Sequence, residues 1–105
     1  MFFNINQESK FNINDNVYCI DYVPQYNDLY RNEMIWKIGS DYDGRNPIIH
    51  KIKKIKIEKE YYENNEEKLS IFYLLDGNRW YEETLLFTTV EEAKQAYIKR
   101  NEEDY

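Results

Sequence analysis

The 105-residue chain is poor in residues that carry catalytic or metal chemistry, with one cysteine, Cys19, and one histidine, His50. A single cysteine excludes an internal disulfide, which suits a reducing compartment. A catalytic thiolate needs a neighbouring base, and the spacing does not bring His50 to Cys19, so a buried structural thiol is favoured. The sequence has no glycine-rich phosphate loop and no metal-ligand cluster. We therefore expect no catalytic residue, no metal and no cofactor, in a protein that is not an enzyme.

Long apolar runs are also missing from the sequence. No segment approaches the roughly 20 residues of a membrane-spanning helix, and residues 1–7 lack the basic start and apolar run of a signal peptide. These absences predict a cytoplasmic protein that has no membrane partner. At this length we expect a single domain over residues 1–105, with one modest core that needs no disulfide or metal.

Basic residues are outnumbered, with 14 Lys and Arg against 20 Asp and Glu and a net charge of −6. The acidic excess argues against a general nucleic-acid binder, because attraction to phosphates supplies most non-specific affinity. One basic stripe stands out, and Tyr61 and Tyr62 after it are able to stack on bases. The stripe consists of His50, Lys51, Lys53, Lys54, Lys56 and Lys59, with Arg45 nearby. Lysines on an edge strand more often protect against aggregation, so nucleic-acid binding is the alternative hypothesis.

Aromatic residues, by contrast, are abundant at 17% of the chain, and eleven of them are tyrosines. Tyrosine often replaces Leu or Val in half-buried strands, where its ring packs and its hydroxyl stays in water. That is the favoured interpretation for most of these side chains. A tyrosine-rich contact surface is the alternative, because protein interfaces favour aromatic residues.

The first half of the chain reads as strand, insertion and strand. Apolar residues occupy both parities of residues 11–22, which predicts a strand covered on both sides or sharply twisted, after a left-handed corner at Asn14–Asn16. Phe2, Phe3 and Ile5 fit a further edge strand. We expect Pro24 to close the strand and residues 24–46 to form a short helix or irregular loop; a strand at residues 34–38 is the alternative. Residues 41–44 resemble half of a calcium loop, but the later ligands are missing and a plain turn is favoured.

The second half predicts a hairpin sheet and a helix. Residues 47–62 favour a strand with a bulge near Lys53 and Lys54, followed by a polar loop at residues 63–67. Asp76-Gly77 marks a hairpin in which glycine supplies the positive φ. A return strand over residues 80–87 would place Tyr81, Leu85 and Phe87 in one register. Thr89 and Glu92 form a capping box at the start of a helix. The apolar stripe of this helix consists of Val90, Ala93, Ala96 and Tyr97. Residues 101–105 should fray.

Segments at the two ends of the sequence resemble a pattern in small proteins of phages and mobile elements from AT-rich bacteria. The opening segment is Lys10-Phe11-Asn12-Ile13-Asn14-Asp15-Asn16-Val17-Tyr18. The closing segments are Trp80-Tyr81-Glu82-Glu83, Leu86-Phe87-Thr88 and Glu91-Glu92-Ala93. Such proteins resemble SH3-like barrels, and Asn14 stands where their pattern has glycine. The resemblance implies an α+β, mainly β fold: a small SH3-like barrel or strongly bent antiparallel sheet with a C-terminal helix and an inserted segment at about 24–46.

The favoured function is a small acidic module that binds a protein. Such a module of phage origin can inhibit a host nucleic-acid-binding defence enzyme, as anti-CRISPR proteins do, with carboxylates in place of phosphates. Aromatic residues of the insertion and acidic residues of the second half are the types that would make the contact. The predicted partner-binding residues are Tyr26, Tyr30, Trp36, Tyr42, Glu82, Glu83, Glu91 and Glu92.

Overall fold

The computed structural model describes residues 9–26, 32–41 and 44–103. Within these residues the chain is mainly β, with six strands, a short 3₁₀ turn and a helix near the C-terminus, which confirms the predicted α+β, mainly β class. The strands are β1 Asn16–Tyr26, β2 Asn32–Ile38, β3 His50–Tyr61, β4 Glu67–Leu75, β5 Trp80–Glu82 and β6 Leu86–Phe87. The 3₁₀ turn is Glu83–Leu85 and the helix, α1, is Val90–Glu103.

The described residues fall into two compact units that alternate along the sequence. The first unit holds the residues up to Asn16 together with His50–Thr84, and the second holds those of Val17–Ile49 and those from Leu85 onward. Each unit contains its own antiparallel strand pairs and its own buried side chains. A single domain over residues 1–105 stays a prediction.

The first unit is a sheet in which β4 lies between β3 and β5, antiparallel to both. Its register shifts between Ile52 and Lys54, which confirms the predicted bulge. The bulge shifts the alternation of side chains between the two faces of the sheet. The spacing of the isoleucines in residues 47–62 therefore fits no single period. The buried apolar side chains of this unit are Phe11, Ile52, Tyr73, Leu75 and Tyr81.

Three asparagines make the left-handed corners of the first unit. Asn14 has a φ of 73°, as predicted for the corner before β1, and Asn65 has a φ of 66° in the predicted loop between β3 and β4. The hairpin between β4 and β5 is also present, but its positive φ of 62° belongs to Asn78 and the prediction for Gly77 is wrong. Asn78 N–H donates to the Leu75 carbonyl and closes the turn. The left-handed residue is therefore the third of the loop, where asparagine is tolerated.

The second unit contains β1 paired with β2 along one edge and with β6 along the other. Helix α1 packs against β2 and β6. Val17, Cys19 and Ile20 of β1 are all at most 1% exposed, so both faces of this part of the strand are covered, as predicted. Leu86 and Ala93 complete the buried apolar set, and Cys19 is a buried free thiol.

The prediction of a short helix or irregular loop over residues 24–46 is wrong for residues 24–26 and 32–38, which lie in strands. Residues 32–38 form strand β2, the alternative considered above, and Pro24 lies inside β1 opposite Met34 instead of ending the strand. Trp36 directs its N–H away from β1, and because backbone direction alternates along a strand, Met34 does the same. Proline is tolerated at a strand position that has no ladder hydrogen bond to donate. Pro24 and Met34 are therefore a pair that needs no N–H from residue 24. The edge strand predicted for Phe2, Phe3 and Ile5 lies outside the described residues.

The predicted return strand over residues 80–87 is interrupted. The chain pairs with β4 over Trp80–Glu82, turns through Glu83–Leu85 and then pairs with β1 over Leu86–Phe87. The turn shifts the alternation, so Leu86 is buried, whereas Leu85 and Phe87 are half-buried. The expected common register of Tyr81, Leu85 and Phe87 is therefore wrong. Periodicity alone did not reveal the break, because it depends on contacts distant in sequence.

The helix begins as predicted and ends later than predicted. Glu92 N–H donates to Thr89 Oγ1 at 3.2 Å, and the Glu92 carboxylate accepts the hydroxyls of Thr88 and Thr89. These contacts supply the N-terminal cap. At the other end α1 continues through Glu103, and the prediction that residues 101–105 fray is wrong for the described residues 101–103. Asn101 anchors this end, as described below.

Candidate protein-binding surfaces

An aromatic surface of the second unit centres on Trp36. The ladder places Tyr22 opposite Trp36, with ring centroids 4.9 Å apart, and Pro24 opposite Met34. Because side chains two apart in a strand share a face, these four lie together. Tyr22 is 45% exposed and Met34 is 44% exposed. We call Tyr22, Pro24, Met34, Trp36 and the neighbouring Arg100 the Trp36 face.

Helix α1 fixes Trp36 from the other side. The Arg100 guanidinium lies over the indole, 4.7 Å from its centroid. Asn101 Oδ1 accepts the Trp36 N–H at 2.8 Å, and Asn101 Nδ2 donates to the Trp36 carbonyl at 3.0 Å. One carboxamide thus satisfies both backbone groups that Trp36 directs away from β1, covering an otherwise open strand edge. The tryptophan is therefore held in position before any partner binds, which lowers the entropy cost of binding.

We predict that Asn101→Ala lowers the free energy of unfolding by about 1–3 kcal/mol, because it leaves the N–H and carbonyl of Trp36 without their partner. Urea unfolding followed by circular dichroism measures the change. Glu102→Ala is the matched control, since Glu102 is exposed in the same helical turn, and it should change the free energy by no more than about 0.5 kcal/mol. Equal values for the two variants would show that the carboxamide does not hold the strand edge.

A small groove lies between β2 and α1 behind Trp36. Its volume is about 290 Å³, and its lining includes Ile35, Ile38 and Tyr97. Sites for drug-sized ligands usually occupy about 300–1,000 Å³ and enclose most of the ligand. The volume of this groove lies just below that range.

Of the four aromatic residues predicted to bind a partner, the structure places the side chain of Trp36 alone. Tyr26 pairs through its backbone with Asn32, whereas its side chain and all of Tyr30 and Tyr42 lie outside the described residues. Sequence reasoning missed Tyr22 and Arg100 as neighbours of Trp36. The strand register and the helix position that bring them together follow from long-range pairing, which no local motif signals.

The predicted acidic residues have different surroundings. Glu91 and Glu92 lie in the first turn of α1 in the second unit, and Glu92 is engaged in the helix cap. Glu82 and Glu83 belong to the first unit, where Glu82 is exposed and Glu83 is half-buried. Charge that is already used in structural contacts contributes less to a partner, so Glu82 and Glu91 are the better candidates for binding.

Glu83 takes part in a polar cluster with Tyr73 and the start of the described chain. Its Oε2 accepts the Lys10 N–H at 2.9 Å and the hydroxyl of Tyr73. The same hydroxyl accepts the Phe11 N–H at 3.3 Å, and the Phe11 ring packs edge-on against Tyr73 with centroids 5.5 Å apart. Burial raises the pKa of Tyr73 to about 12, and its hydrogen bond to Glu83 adds to the shift. The cluster fixes the point at which the chain leaves β5.

We predict a loss of stability in alkaline solution through Tyr73. Its folded pKa of about 12 exceeds the ordinary value of 10.0, so its contribution is complete below pH 10.0 and is lost as pH rises through about 12. Urea midpoints measured from pH about 9 to about 12 should fall more steeply in the wild type than in Tyr73→Phe. Parallel curves for the two proteins would show that Tyr73 ionises as readily when folded as when unfolded.

A turn accounts for the partial calcium-loop pattern in the sequence of residues 41–44, and His50 of the basic stripe pairs with an aspartate. Asp41 Oδ1 accepts the backbone N–H groups of Arg45 and Asn46, so this carboxylate closes a turn, as favoured above. His50 Nδ1 lies 2.7 Å from Asp76 Oδ1, and this hydrogen bond is the main cause that lowers the pKa of Asp76. Among the described residues no group of three or more His, Cys, Asp and Glu side chains is arranged to hold a metal ion.

The basic stripe is split by the pleat of β3. Lys54 and Lys56 lie on the face that also carries Phe72 and the 48%-exposed Trp80, because they pair with Leu74 and Phe72. Lys56 also forms an ion pair with Glu58 at 2.9 Å. Lys59 lies on the opposite face, since its distance from Lys54 and Lys56 along β3 is odd. The stripe is therefore not one continuous basic surface.

Comparisons with known proteins return no relative for this chain. It matches no protein-family model, no curated protein and no solved structure. Among the described residues, no helix combines the length and apolar character needed to cross a membrane.

Proposed function

We propose that this protein is a small acidic protein-binding module, encoded by a phage or mobile element, that binds and inhibits a host protein such as a nucleic-acid-binding defence enzyme. The observation that carries the proposal is the Trp36 face. It joins a tryptophan, a tyrosine and an arginine, the three residue types that most often dominate binding energy at protein interfaces.

The composition of the Trp36 face supports binding of a protein. Tyr22 and Met34 expose nearly half of their surface although both are large and apolar. Exposed apolar groups that are contiguous, instead of scattered, are typical of interaction sites on soluble proteins. Arg100 adds a charged group that lies over the Trp36 ring, 4.7 Å from its centroid.

The negative charge supports the choice of a nucleic-acid-binding target. The chain carries a net charge of −6, and Glu82 and Glu91 are exposed. A basic channel that accepts phosphates attracts such a protein over a distance of about 10 Å at moderate salt. This attraction raises the rate of association more than it raises affinity. The acidic side chains would therefore speed the encounter, whereas the apolar Trp36 face would supply the affinity.

The test is affinity capture from a host lysate by the wild type and by two tryptophan variants. Trp36→Ala removes the centre of the Trp36 face, whereas Trp80→Ala removes a 48%-exposed tryptophan of the first unit. We expect a protein partner to be retained by the wild type and by Trp80→Ala and to be lost with Trp36→Ala, while circular dichroism shows all three folded. Retention by Trp36→Ala would overturn the assignment of this face.

The finer fold assignment belongs to the same proposal. We assign the chain to the small SH3-like barrels, and the pairing of β1 with β6 supports this, because barrels of that kind join an early strand to a late one. The opening and closing segments of the sequence that resemble such proteins contribute to these two strands. An experimentally solved structure in which β1 does not pair with β6 would contradict the assignment.

Nucleic-acid binding is the second candidate, and one observation favours it. Lys54, Lys56 and Trp80 share a sheet face with Phe72, which combines cations with aromatic rings as single-strand binders do. A gel shift with single-stranded DNA and RNA tests it, with Lys54→Glu as the variant. A salt-sensitive shift at micromolar protein, abolished by Lys54→Glu, together with failure to capture a protein, would favour this second candidate over the first.

A further inference from the structure

The first unit contains a strand edge that β5 covers only in part. Strand β4 pairs with β3 from Glu67 to Leu75 but with β5 only at Phe72, Tyr73 and Leu74. Among the described residues, Lys68–Ile71 therefore have a strand on one side alone. The chain would have continued along this edge, but it turns away at Glu83, where the carboxylate is held by Lys10 N–H and the hydroxyl of Tyr73.

The backbone groups at this edge are identified by the alternation of the ladder. Leu75 N–H donates across the hairpin to the Arg79 carbonyl at 3.0 Å, so Leu75 directs its backbone groups toward β5. Every second residue of β4 has the same direction, and Leu69 and Ile71 therefore direct their N–H and carbonyl groups to the open edge. Four backbone groups in a row form a template for one more strand.

A groove of about 460 Å³ follows this edge. Its lining consists of residues 68–72 of β4 and Glu82, Glu83 and Thr84. Leu69 is 42% exposed within it, and Ile71 on the same face is half-buried. The groove thus offers apolar contacts on one face of an added strand in addition to the backbone template.

Charge sets the direction of a strand that fits this groove. The exposed carboxylate of Glu82 lies at one end of the groove, and Lys68 lies at the other. A strand antiparallel to β4 begins beside Glu82, where β5 stops, and ends beside Lys68. A basic residue at its first position and an acidic residue at its last would meet opposite charges at both ends, whereas the parallel orientation of that strand would meet like charges.

We propose that this groove binds an extended segment of a partner protein, added antiparallel to Lys68–Ile71, with a basic residue at its amino end and an acidic residue at its carboxyl end. The site is separate from the Trp36 face, so it stands whether or not the proposed function holds. It gives the module a means of recognising a linear peptide through main-chain hydrogen bonds.

Hydrogen exchange of the free protein tests the open edge. The amides of Leu69 and Ile71 should exchange at least about tenfold faster than those of Ser70 and Phe72, which point to β3. Equal protection of all four amides would overturn the proposal, because it would mean that the edge is already covered. Deletion of residues 2–7 and sedimentation velocity then distinguish coverage by the chain's own N-terminal residues from coverage by a second copy.

Two designed peptides test the occupant. The first is Lys-Thr-Val-Thr-Val-Glu, and the second has the same core with the terminal Lys and Glu exchanged. In fluorescence anisotropy with labelled peptides, the first should bind the wild type roughly tenfold more tightly than the second. The double variant Glu82→Lys with Lys68→Glu should reverse this preference. Equal affinity of the two peptides in both proteins, or no binding of either, would overturn the proposal.

Proline substitutions separate the edge from the fold. Leu69→Pro removes an N–H that points to the groove, so the variant should fold and lose the first peptide. Ser70→Pro removes an N–H used by the ladder with β3 and should lower stability instead. Two N-methylated forms of the first peptide, one for each set of alternate residues, check the same contact without altering the protein. Binding of both forms as tight as that of the unmethylated peptide would contradict strand addition. Trp36→Ala should leave peptide binding unchanged.

Discussion

Tyr73→Ala should lower the free energy of unfolding by about 3–5 kcal/mol, the range found when a large buried aromatic side chain is truncated. Tyr73 is 0% exposed, its ring packs against Phe11, and its hydroxyl joins Phe11 N–H to Glu83. Tyr73→Phe keeps the ring and removes the hydroxyl, so it should cost about 1–3 kcal/mol, because Phe11 N–H loses this acceptor and Glu83 loses one of its two donors. The difference between the variants measures the packing contribution of the ring.

Urea unfolding followed by circular dichroism and by tryptophan fluorescence measures both changes. Tyr61→Phe is the control, because Tyr61 is 74% exposed and should change the free energy by no more than about 0.5 kcal/mol. If Tyr73→Phe matched Tyr61→Phe, the hydroxyl would contribute nothing, and the explanation given for the turn at Glu83 would fail.

Gly39→Ala should also destabilise the protein, by about 1–3 kcal/mol, because a methyl group in a filled site forces its neighbours to move. A Cβ on Gly39 would lie 2.7 Å from Cys19 Sγ, and Cys19 is 1% exposed, so the thiol has little room to move away. The Gly39 N–H donates to the Cys19 carbonyl at 2.8 Å, which fixes the close approach of the two backbones. Gly39 is required here because a side chain at this position would not fit beside Cys19.

A double-mutant cycle with Cys19→Ala checks the cause. Removal of the sulfur should relieve the clash, so the added methyl of Gly39→Ala should cost less in that background, with a coupling of about 0.5–3 kcal/mol. Gly77→Ala is the control, since nothing lies within 4 Å of a Cβ at that position. Additive effects in the cycle would mean that the methyl group meets something other than the thiol.

Local chemistry was enough to predict several elements of the fold. The left-handed Asn14, the bulge beside Lys53 and the cap at Thr89 each depend on a few adjacent residues, and each was correctly predicted. The hairpin after β4 was correct as well, although asparagine supplied its positive φ where glycine was expected. In these cases the sequence motif and the conformation occupy the same short stretch of chain, so the motif is sufficient.

The errors share a dependence on distant partners. Residues 32–38 carry a pattern compatible with a helix, but pairing with β1 makes them a strand. The break at Glu83 depends on Lys10 and Tyr73, and the ordered end of α1 depends on a bond from Asn101 to Trp36. Interactions between residues so far apart are set by tertiary packing, which overrides local propensity.

The candidate site was predicted in part for the same reason. Trp36 was chosen as an aromatic residue of the inserted segment; it is half-buried, and whether it binds a partner stays a prediction. Tyr22 and Arg100, which complete its surface, come from a strand before it and a helix after it. Glu83 and Glu92 were chosen for their charge, but each is engaged in a structural contact. Composition identifies residue types suited to binding, and tertiary structure decides which of them remain available.

The most direct test of the Trp36 face is a titration of the captured partner against three proteins by isothermal calorimetry. A residue at the centre of an interface costs at least about 2 kcal/mol when truncated, which is roughly thirtyfold in affinity. We expect Trp36→Ala to weaken binding by at least that factor, and Trp80→Ala to bind as the wild type does. Binding by Trp36→Ala within about twofold of the wild type would contradict the proposed function.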